Sequence, residues 1–596
     1  MKLSDFVFDF LYEKGVKSAF MLSGGGIMHL VDSLGNSKIK YVCCHHEQAA
    51  SIAAQANSMY GDTLGCCLVT TGPGGTNALT GAAAAYVDST PVIFLSGQVK
   101  RSDFASLRNV RQFGAQENDI ISMAKPVMKH AVLLDNPDKV LYELEKCAYY
   151  AMNGRKGPVW LDIPLDVQAA EINPEELEHF SPDDASESMI EPREVDNTIK
   201  LLEKAKRPVI LVGQGVKAAT NNQILKDIIK KYNIPTMATW RALDFLGTDD
   251  PLFFGSPGLQ APRYSNLIIQ HADLLIVLGS RLDNMITAFN EEHFAFRAQK
   301  VIVDIDENEI KKLSMSNVNP IVGDVGDFIN ILDKKLKTRS LSADYMPWVK
   351  RCQKIKEEFP ILAEKQEKDS GVNLYHVTNE VSKHVSADAT IVISSTSRCN
   401  TAGHIAFNHK QGQKTISSMG MGSMGFALPS AVGAYFANGN KQVIVFEGDG
   451  SFQLNIQELE TIVSNGVDAK MFIFDNRGYA AITTMQERNF DGHYVGSNEK
   501  SGLFMPDTEK IANAYSIPFF EIKTEEDIAE AVENTLNTEG PVICKIVGAL
   551  SFDEIPKCIS RIDENTKKRV SAFLENPYPF LPEEELNKIS EYLLSE

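Results

Sequence analysis

Short apolar runs of strand length recur along the 596-residue chain and alternate with helix-length segments almost throughout. They include YVCC (41–44), GCCLVT (65–70), PVIFLSG (91–97), RPVILVG (207–213), ADLLIVLG (272–279), KVIVDID (300–306), TIVIS (390–394), QVIVFEGDG (442–450) and KMFIFDN (470–476). The runs are continuous rather than alternating and rich in β-branched residues, which is the pattern of parallel strands buried on both faces. Strand–helix units in series predict doubly wound sheets and the α/β class. Two stretches break the series. Residues 170–197 are acidic, carry proline and lack periodicity, and residues 333–372 are charged and helical in pattern with no strand run. These cuts predict three parallel-sheet domains, 1–170, 190–335 and 370–550, followed by a tail at 551–596. The tail, with its NPYPFLPEEE segment, reads first as surface packing and second as a cover for an active-site mouth.

Composition narrows the class. Hydrophobic residues make up 43% and charged residues 23%, and the formal net charge is −19. That sign argues against a nucleic-acid or anionic-membrane surface. No apolar stretch reaches the ~18–20 residues that span a bilayer, and the opening MKLSDFVFDFLYEKG lacks a secretory pattern. There are nine cysteines and no C-x-x-C pair, and the four that stand as neighbours in apolar runs, Cys43-Cys44 and Cys66-Cys67, read as buried thiols. The expectation is a cytoplasmic multidomain enzyme.

The most informative stretch is 443–479. It predicts a strand, a Gly448-Asp449-Gly450 turn, a helix over about 455–464, a second strand, then Asn476-Arg477-Gly478. In a right-handed βαβ unit both turns lie at the same carboxyl edge, where open α/β sheets bind ligands. Asp449 and Asn476 therefore meet there. A carboxylate and an amide oxygen suit Mg²⁺ or Ca²⁺ rather than zinc. Gly448 and Gly450 permit close approach of a phosphate, and the helix from Ser451 onward offers N–H groups to it.

This stretch resembles the diphosphate-binding signature of thiamine-diphosphate enzymes. The resemblance implies a Mg²⁺ held by Asp449, Asn476 and the carbonyl of Gly478, with Gly448, Gly450, Ser451 and Tyr479 around the diphosphate. It also implies a second half-site. His45-His46-Glu47-Gln48-Ala49-Ala50 opens a helix after YVCC, and a Glu in this context hydrogen-bonds the coenzyme's aminopyrimidine ring in that family. Further motifs resemble acetolactate synthase, a member of the family. Thr70-Thr71-Gly72-Pro73-Gly74-Gly75-Thr76-Asn77 resembles its strand-to-helix turn, which places Thr71, Gly72, Pro73 and Asn77 at the cofactor. Gln116-Glu117 matches a stretch whose Gln lies beside the cofactor. Gly420-Met421-Gly422-Ser423-Met424-Gly425-Phe426 resembles the loop that contacts the aminopyrimidine and wedges the cofactor, through Gly420, Gly422 and Met424. Ser394–Arg398 lies where the family contacts the diphosphate, with Thr396 and Ser397 as donors and Arg398 reaching either a phosphate or a surface acid. Glu47 and Gln116 are thus the expected catalytic residues. The family's shared active sites imply a homodimer or homotetramer in which Glu47 serves a coenzyme held by the neighbouring chain.

Three features concern the remaining ligands. Gly213-Gln214-Gly215-Val216, Gly279–Asp283 and Asp304-Ile305-Asp306 resemble the central FAD-binding domain of acetolactate synthase; relatives bind ADP or nothing there, so FAD is one alternative. Where acetolactate synthases carry an Arg that grips an incoming 2-keto acid, this chain has Met285. Where they carry an acceptor-pocket Trp, it has Met485. Losing a guanidinium that pairs with a carboxylate weakens the case for a 2-keto acid acceptor. The loop 100–111 holds four cations, Lys100, Arg101, Arg108 and Arg111, which suit either an anionic acceptor such as a keto-sugar nucleotide or a solvated face. The resemblance implies decarboxylation of a 2-keto acid, pyruvate first, and ligation of the two-carbon unit to a carbonyl acceptor. The alternatives are a non-ligating decarboxylase of phosphono- or sulfo-pyruvate type, an oxidoreductase on the same sheets, and a degenerate homologue. No G-x-G-x-x-G fingerprint supports the oxidoreductase.

Overall fold

The computed structural model describes residues 1–182, 189–339, 341–363, 371–548, 555–562, 567, 569–570 and 573–595. Parts of the two interrupting stretches and of the tail lie outside these residues. The described chain is α/β throughout, with three parallel sheets.

The first sheet holds β1 (Ser18–Met21), β2 (Lys40–Cys43), β3 (Gly65–Val69), β4 (Val92–Gln98), β5 (His130–Leu133) and β6 (Val159–Pro164) in the order β2-β1-β3-β4-β6-β5. The second holds β7 (Pro208–Val212), β8 (Thr236–Ala238), β9 (Leu274–Leu278), β10 (Gln299–Asp304) and β11 (Val318–Val322) in the order β11-β10-β9-β7-β8. The third holds β12 (Thr390–Ile393), β13 (Lys414–Ile416), β14 (Val443–Gly448), β15 (Ala469–Asp475), β16 (Phe519–Ile522) and β17 (Val542–Val547) in the order β13-β12-β14-β15-β17-β16. The continuous runs are buried along their whole length at β3, β4, β7, β9, β14 and β15, as helices on both faces require.

The first and third sheets share one strand order, and the second repeats it without its outermost strand. In each, the chain reverses its direction of travel between the first and third strands of the sheet. Such switch points form ligand crevices, and small residues line all three. Gly24 and Gly26, after β1, face Thr70 and Thr71, after β3. Gly213, after β7, lies against Gly279, after β9; a Cβ on Gly213 would sit 2.1 Å from the Gly279 carbonyl oxygen. Gly448, ending β14, lies beside Thr396, after β12.

The first and third domains share a continuous apolar core running from Phe20 to Ile543. At its centre the helix Glu47–Gly61 crosses the helix Ala427–Ala437. The contact is built from Ala49, Ala50, Ala53, Ala431 and Ala434. It is so close that a Cβ on Gly433 would lie 2.1 Å from the Ala53 carbonyl oxygen. The alanine-rich composition of both helices thus sets how the two domains dock. The described tail packs on the central domain: Cys558 N–H donates to the Leu259 carbonyl at 2.8 Å. Arg263 donates to the carbonyls of Pro577 and Pro579 at 3.0 and 2.7 Å, and His293 meets Glu575 at 2.8 Å.

Candidate active site

At the carboxyl edge of the third sheet, Gly448 is the last residue of β14 and the helix Asp449–Phe452 begins at once. The expected Gly-Asp-Gly turn is therefore a direct strand-to-helix passage. The helix breaks into a 3₁₀ turn at Gln453–Asn455 before resuming at Glu458–Ser464, rather than running over 455–464. Asp449 is 4% exposed and Asn476 8%. The Asp449 carboxylate organises the edge. Its Oδ2 accepts from the backbone N–H of Asn476 at 3.2 Å and of Gly478 at 3.1 Å. Its Oδ1 accepts from Gly450 N–H at 2.8 Å. The 27-residue gap between Asp449 and Asn476 is closed by direct hydrogen bonds.

Burial, and then the neighbouring Asp475 carboxylate, push the Asp449 carboxyl above the usual carboxylate range. A buried acid beside a second acid is a place that favours a cation. The Asn476 side-chain amide donates its N–H to the Gly478 carbonyl, so a carboxylate, a side-chain amide and a carbonyl oxygen lie together at this edge. These hard donors fit Mg²⁺. Among the described residues no group of three or more His, Cys, Asp or Glu could hold a metal, so the mixed set is the one the fold offers.

Gly450 also faces the Tyr479 ring. A Cβ there would stand 2.4 and 2.6 Å from Cε1 and Cδ1 of Tyr479, so its missing side chain makes room for that ring. The Ser451 hydroxyl accepts from Gly425 N–H at 2.7 Å and so ties the Gly420–Gly425 loop to the Asp449 edge. Within that loop Gly422 has φ +64 in open space, and Met424 is half-buried. Ser395 donates to the Ser418 carbonyl at 2.7 Å, which joins the β12 loop to the same assembly. Thr396 Oγ1 lies at the Gly448 crevice. The side chain of Ser397 lies outside the described residues. Arg398 is buried.

The first domain supplies the second edge. Glu47 is the first residue of its helix, capped by His46, whose Nδ1 accepts from Gln48 N–H at 3.0 Å. Its side chain is 6% exposed and accepts from Asn77 Nδ2 at 3.0 Å. Two residues expected at the cofactor thus prove to be mutual partners. Pro73 opens the helix Pro73–Val87, and Gly72 precedes it at φ +71. A Cβ on Gly72 would lie 2.6 Å from the Gln116 carbonyl oxygen, so Gln116, itself at φ +66, is seated on this turn. Gln98 donates to the Asn118 carbonyl at 2.8 Å, and Asn118 to the Gly72 carbonyl at 3.2 Å. The Thr71 hydroxyl is buried with no partner among the described residues, aimed at Gly26.

Sequence reasoning missed the ties between the two edges. Glu458 Oε1 accepts from His45 N–H at 3.0 Å. Asn455 donates to Gln48 Oε1 at 3.3 Å and to the Gly425 carbonyl at 2.7 Å.

In the central domain, Gly215, Ser280, Asp283, Met285 and Asp304 line a cleft of about 230 Å³ that also touches Asp88 and Met419 of the flanking domains. Asp304 Oδ1 accepts from Asp306 N–H at 3.0 Å, while Asp306 pairs with Arg155 at 3.0 Å. In the basic loop, Arg101 pairs with Asp166 at 2.8 Å. Arg108 stacks 3.6 Å over Phe113. Lys100 and Arg111 are exposed.

The fold and this arrangement define an α/β enzyme of three doubly wound domains, with a polar edge on each outer domain fit to hold one half of a phosphate-bearing coenzyme. Comparison with known proteins names the family. Residues 1–123, 195–332 and 396–546 match the N-terminal TPP binding domain, the central domain and the C-terminal TPP binding domain of thiamine pyrophosphate enzymes. The chain is 31% identical over 562 residues to the acetolactate synthase large subunit of Cyanidium caldarium, covering 92% of this chain and 93% of that one. It is 30% identical over 558 residues to the acetolactate synthase isozyme 2 large subunit of Escherichia coli K12, covering 91% and 94%. Against the chloroplastic acetolactate synthase of Arabidopsis thaliana it is 28% identical over 556 residues, covering 92% and 81%. The chain belongs to the thiamine pyrophosphate enzyme family and is a thiamine-pyrophosphate-dependent enzyme of acetolactate-synthase type.

Proposed function

We propose that the chain decarboxylates a 2-keto acid, pyruvate, and ligates the two-carbon unit to a carbonyl acceptor, with thiamine diphosphate and Mg²⁺ as cofactors. The observation that carries this reading is the Asp449 carboxylate holding Asn476 and Gly478 at one sheet edge. Asp449, Asn476 and the Gly478 carbonyl would hold Mg²⁺, and Thr396, Gly448 and Gly450 would surround the diphosphate. The coenzyme, when bound, supplies the electron sink that accepts the pair left when CO₂ departs. The protein's own part is orientation and proton control. Glu47, buried and fixed by Asn77, would pair with a ring nitrogen of the aminopyrimidine and serve as its proton-transfer partner. Gly72 and Gln116 would form the wall beside it, and Gly420, Gly422 and Met424 would contact the coenzyme from the other side.

The site is shared between two copies of the chain. Met421, Leu454, Ile482 and Met485 stand beside the Asp449 edge at 45%, 45%, 39% and 43% exposure, an apolar surface that association would cover. FAD is assigned to the central cleft, where Gly215 and Gly279 line the wall and Asp304 would meet a ribose hydroxyl. The acceptor is a keto-sugar nucleotide: Met285 and Met485 stand where acetolactate synthases carry the Arg and Trp of their acceptor site, and the exposed Lys100 and Arg111 would meet phosphate. The enzyme works in the cytoplasm, consistent with nine free thiols. Among the described residues no helix is long and apolar enough to cross a membrane.

The test is mass spectrometry of products from ¹³C-labelled pyruvate offered with 2-ketobutyrate, aldehydes and keto-sugar nucleotides. A keto-sugar nucleotide carrying two labelled carbons is expected. Acetaldehyde alone would make the enzyme a plain decarboxylase, and efficient ligation to 2-ketobutyrate would restore the ordinary acetolactate synthase acceptor.

A further inference from the structure

Asp88 ends the helix Pro73–Val87 where all three domains meet. It is 3% exposed, and its carboxylate reaches into the third domain. Oδ2 accepts from Ser418 Oγ at 2.6 Å and Oδ1 from Gly420 N–H at 2.9 Å, so Asp88 grips the residues on either side of Met419. It also faces the central domain: Arg241 lies 3.6 Å from Oδ1 and donates to the Asp88 carbonyl at 2.5 Å. Arg281 donates to the neighbouring Val87 carbonyl at 3.3 Å. Asp88, Arg241, Arg281 and Met419 all line the central cleft, and Met419 packs on the central domain's core. One carboxylate therefore stands between a ligand-sized cleft and the loop that begins at Gly420.

We propose that Asp88 is a positioning residue that couples occupancy of the central cleft to the coenzyme loop Ser418–Gly425. A nucleotide in the cleft rests on Met419 and Arg241 and favours the arrangement in which Asp88 holds Ser418 and Gly420. The loop is thereby ordered before the coenzyme binds. This rests on the reading of that loop as part of the coenzyme site. Coupling of this kind is reciprocal, and typically amounts to about 5–150-fold in affinity.

The structure also supplies a discriminating pair of variants. Gln55 Nε2 donates to Asp88 Oδ2 at 3.3 Å, while Gln55 Oε1 is buried without a partner among the described residues. In Asp88→Asn the new amide can therefore donate to a rotated Gln55 while Oδ1 still accepts from Gly420. Asp88→Ala loses every carboxylate contact and keeps only backbone ones, such as the Arg241 bond to its carbonyl.

Titration calorimetry with thiamine diphosphate and Mg²⁺, run with FAD, with ADP and with neither, tests the proposal. For the wild type, FAD or ADP should tighten coenzyme binding at least fivefold, and the coenzyme should tighten FAD binding by the same factor. Asp88→Ala should reduce the factor below two, and Asp88→Asn should recover most of it. Ser418→Ala, which removes one bond and leaves the carboxylate held by Gly420, should give an intermediate factor and serves where Asp88→Ala does not fold. A wild type whose coenzyme affinity is indifferent to both nucleotides overturns the coupling and leaves the functional reading standing. A wild type that binds no coenzyme overturns that reading instead. The wild-type factor persisting in Asp88→Ala, or in Ser418→Ala, removes Asp88 from the link.

Discussion

Gly450→Ala separates two explanations for a glycine at the Asp449 edge. Contact between carbon atoms is comfortable at about 3.5–4.0 Å. The added methyl would stand 2.4 Å from Tyr479 Cε1, so the ring must retreat by about 1 Å. Tyr479 is not free to do so cheaply. Its N–H donates to the Ser497 carbonyl at 2.9 Å, and Gly478 beside it is held by Asp449. Overpacking of this kind costs about 1–3 kcal/mol, and at 1.4 kcal/mol per decade that is roughly 5–150-fold in affinity if the displaced turn is the coenzyme's. Folding should not suffer equally, because alanine is the better helix former by about 1 kcal/mol and Gly450 lies within a helix. The expected signature is a melting temperature near wild type with Mg²⁺-dependent coenzyme binding at least fivefold weaker by calorimetry. Tyr479→Leu vacates the space, so the double variant should bind better than the two single losses predict, by about 1 kcal/mol in a double-mutant cycle. Wild-type binding by Gly450→Ala would refute the argument. Strict additivity in the cycle would return Gly450 to the role of admitting a phosphate.

The junction of the central and third domains makes further demands. Lys217 and Asp244 pair at 2.6 Å with side chains 10% and 1% exposed. Lys217→Met should cost about 3–5 kcal/mol by leaving a buried carboxylate unmatched, and Asp244→Asn added to it should recover part of the loss in thermal melts. If Lys217→Met melts like the wild type, the pair carries no such stake. Burial holds His404 at about 3 and His409 at about 4, below the ordinary 6.5. Both fold neutral, so the unfolded chain takes up more protons below pH 6.5. Stability is full above that value and drains as pH falls toward 4. Melting temperature should therefore decline across that window, and His404→Gln should flatten the slope; a parallel slope in the variant would show that His404 does not contribute.

The fold was legible wherever a strand is buried on both faces, because continuous runs such as GCCLVT and KMFIFDN leave no other reading. Short strands escaped. Thr236–Ala238 and Lys414–Ile416 are three residues each and owe their conformation to neighbours in the sheet. Within the site, the meeting of Asp449, Asn476 and Gly478 followed from consecutive strands of a βαβ unit, which parallel topology forces to one edge. Glu47 was legible only through family resemblance, since an acid opening a helix is commonplace. Tyr479 under Gly450, Glu458 under His45 and Asp88 under Gly420 were not legible, because each joins segments brought together by side-chain packing or domain docking, for which no spacing rule exists.

The central claim is that one coenzyme is held by Asp449 and Asn476 at one end and has its proton managed by Glu47 at the other. Pyruvate turnover and coenzyme affinity, measured together on Glu47→Gln and the wild type, address it most directly. Turnover should depend on both thiamine diphosphate and Mg²⁺ and fall about 10²–10⁴-fold in the variant, as loss of a proton-transfer group does, with coenzyme affinity within a few-fold of wild type. Turnover undiminished in Glu47→Gln would contradict the account.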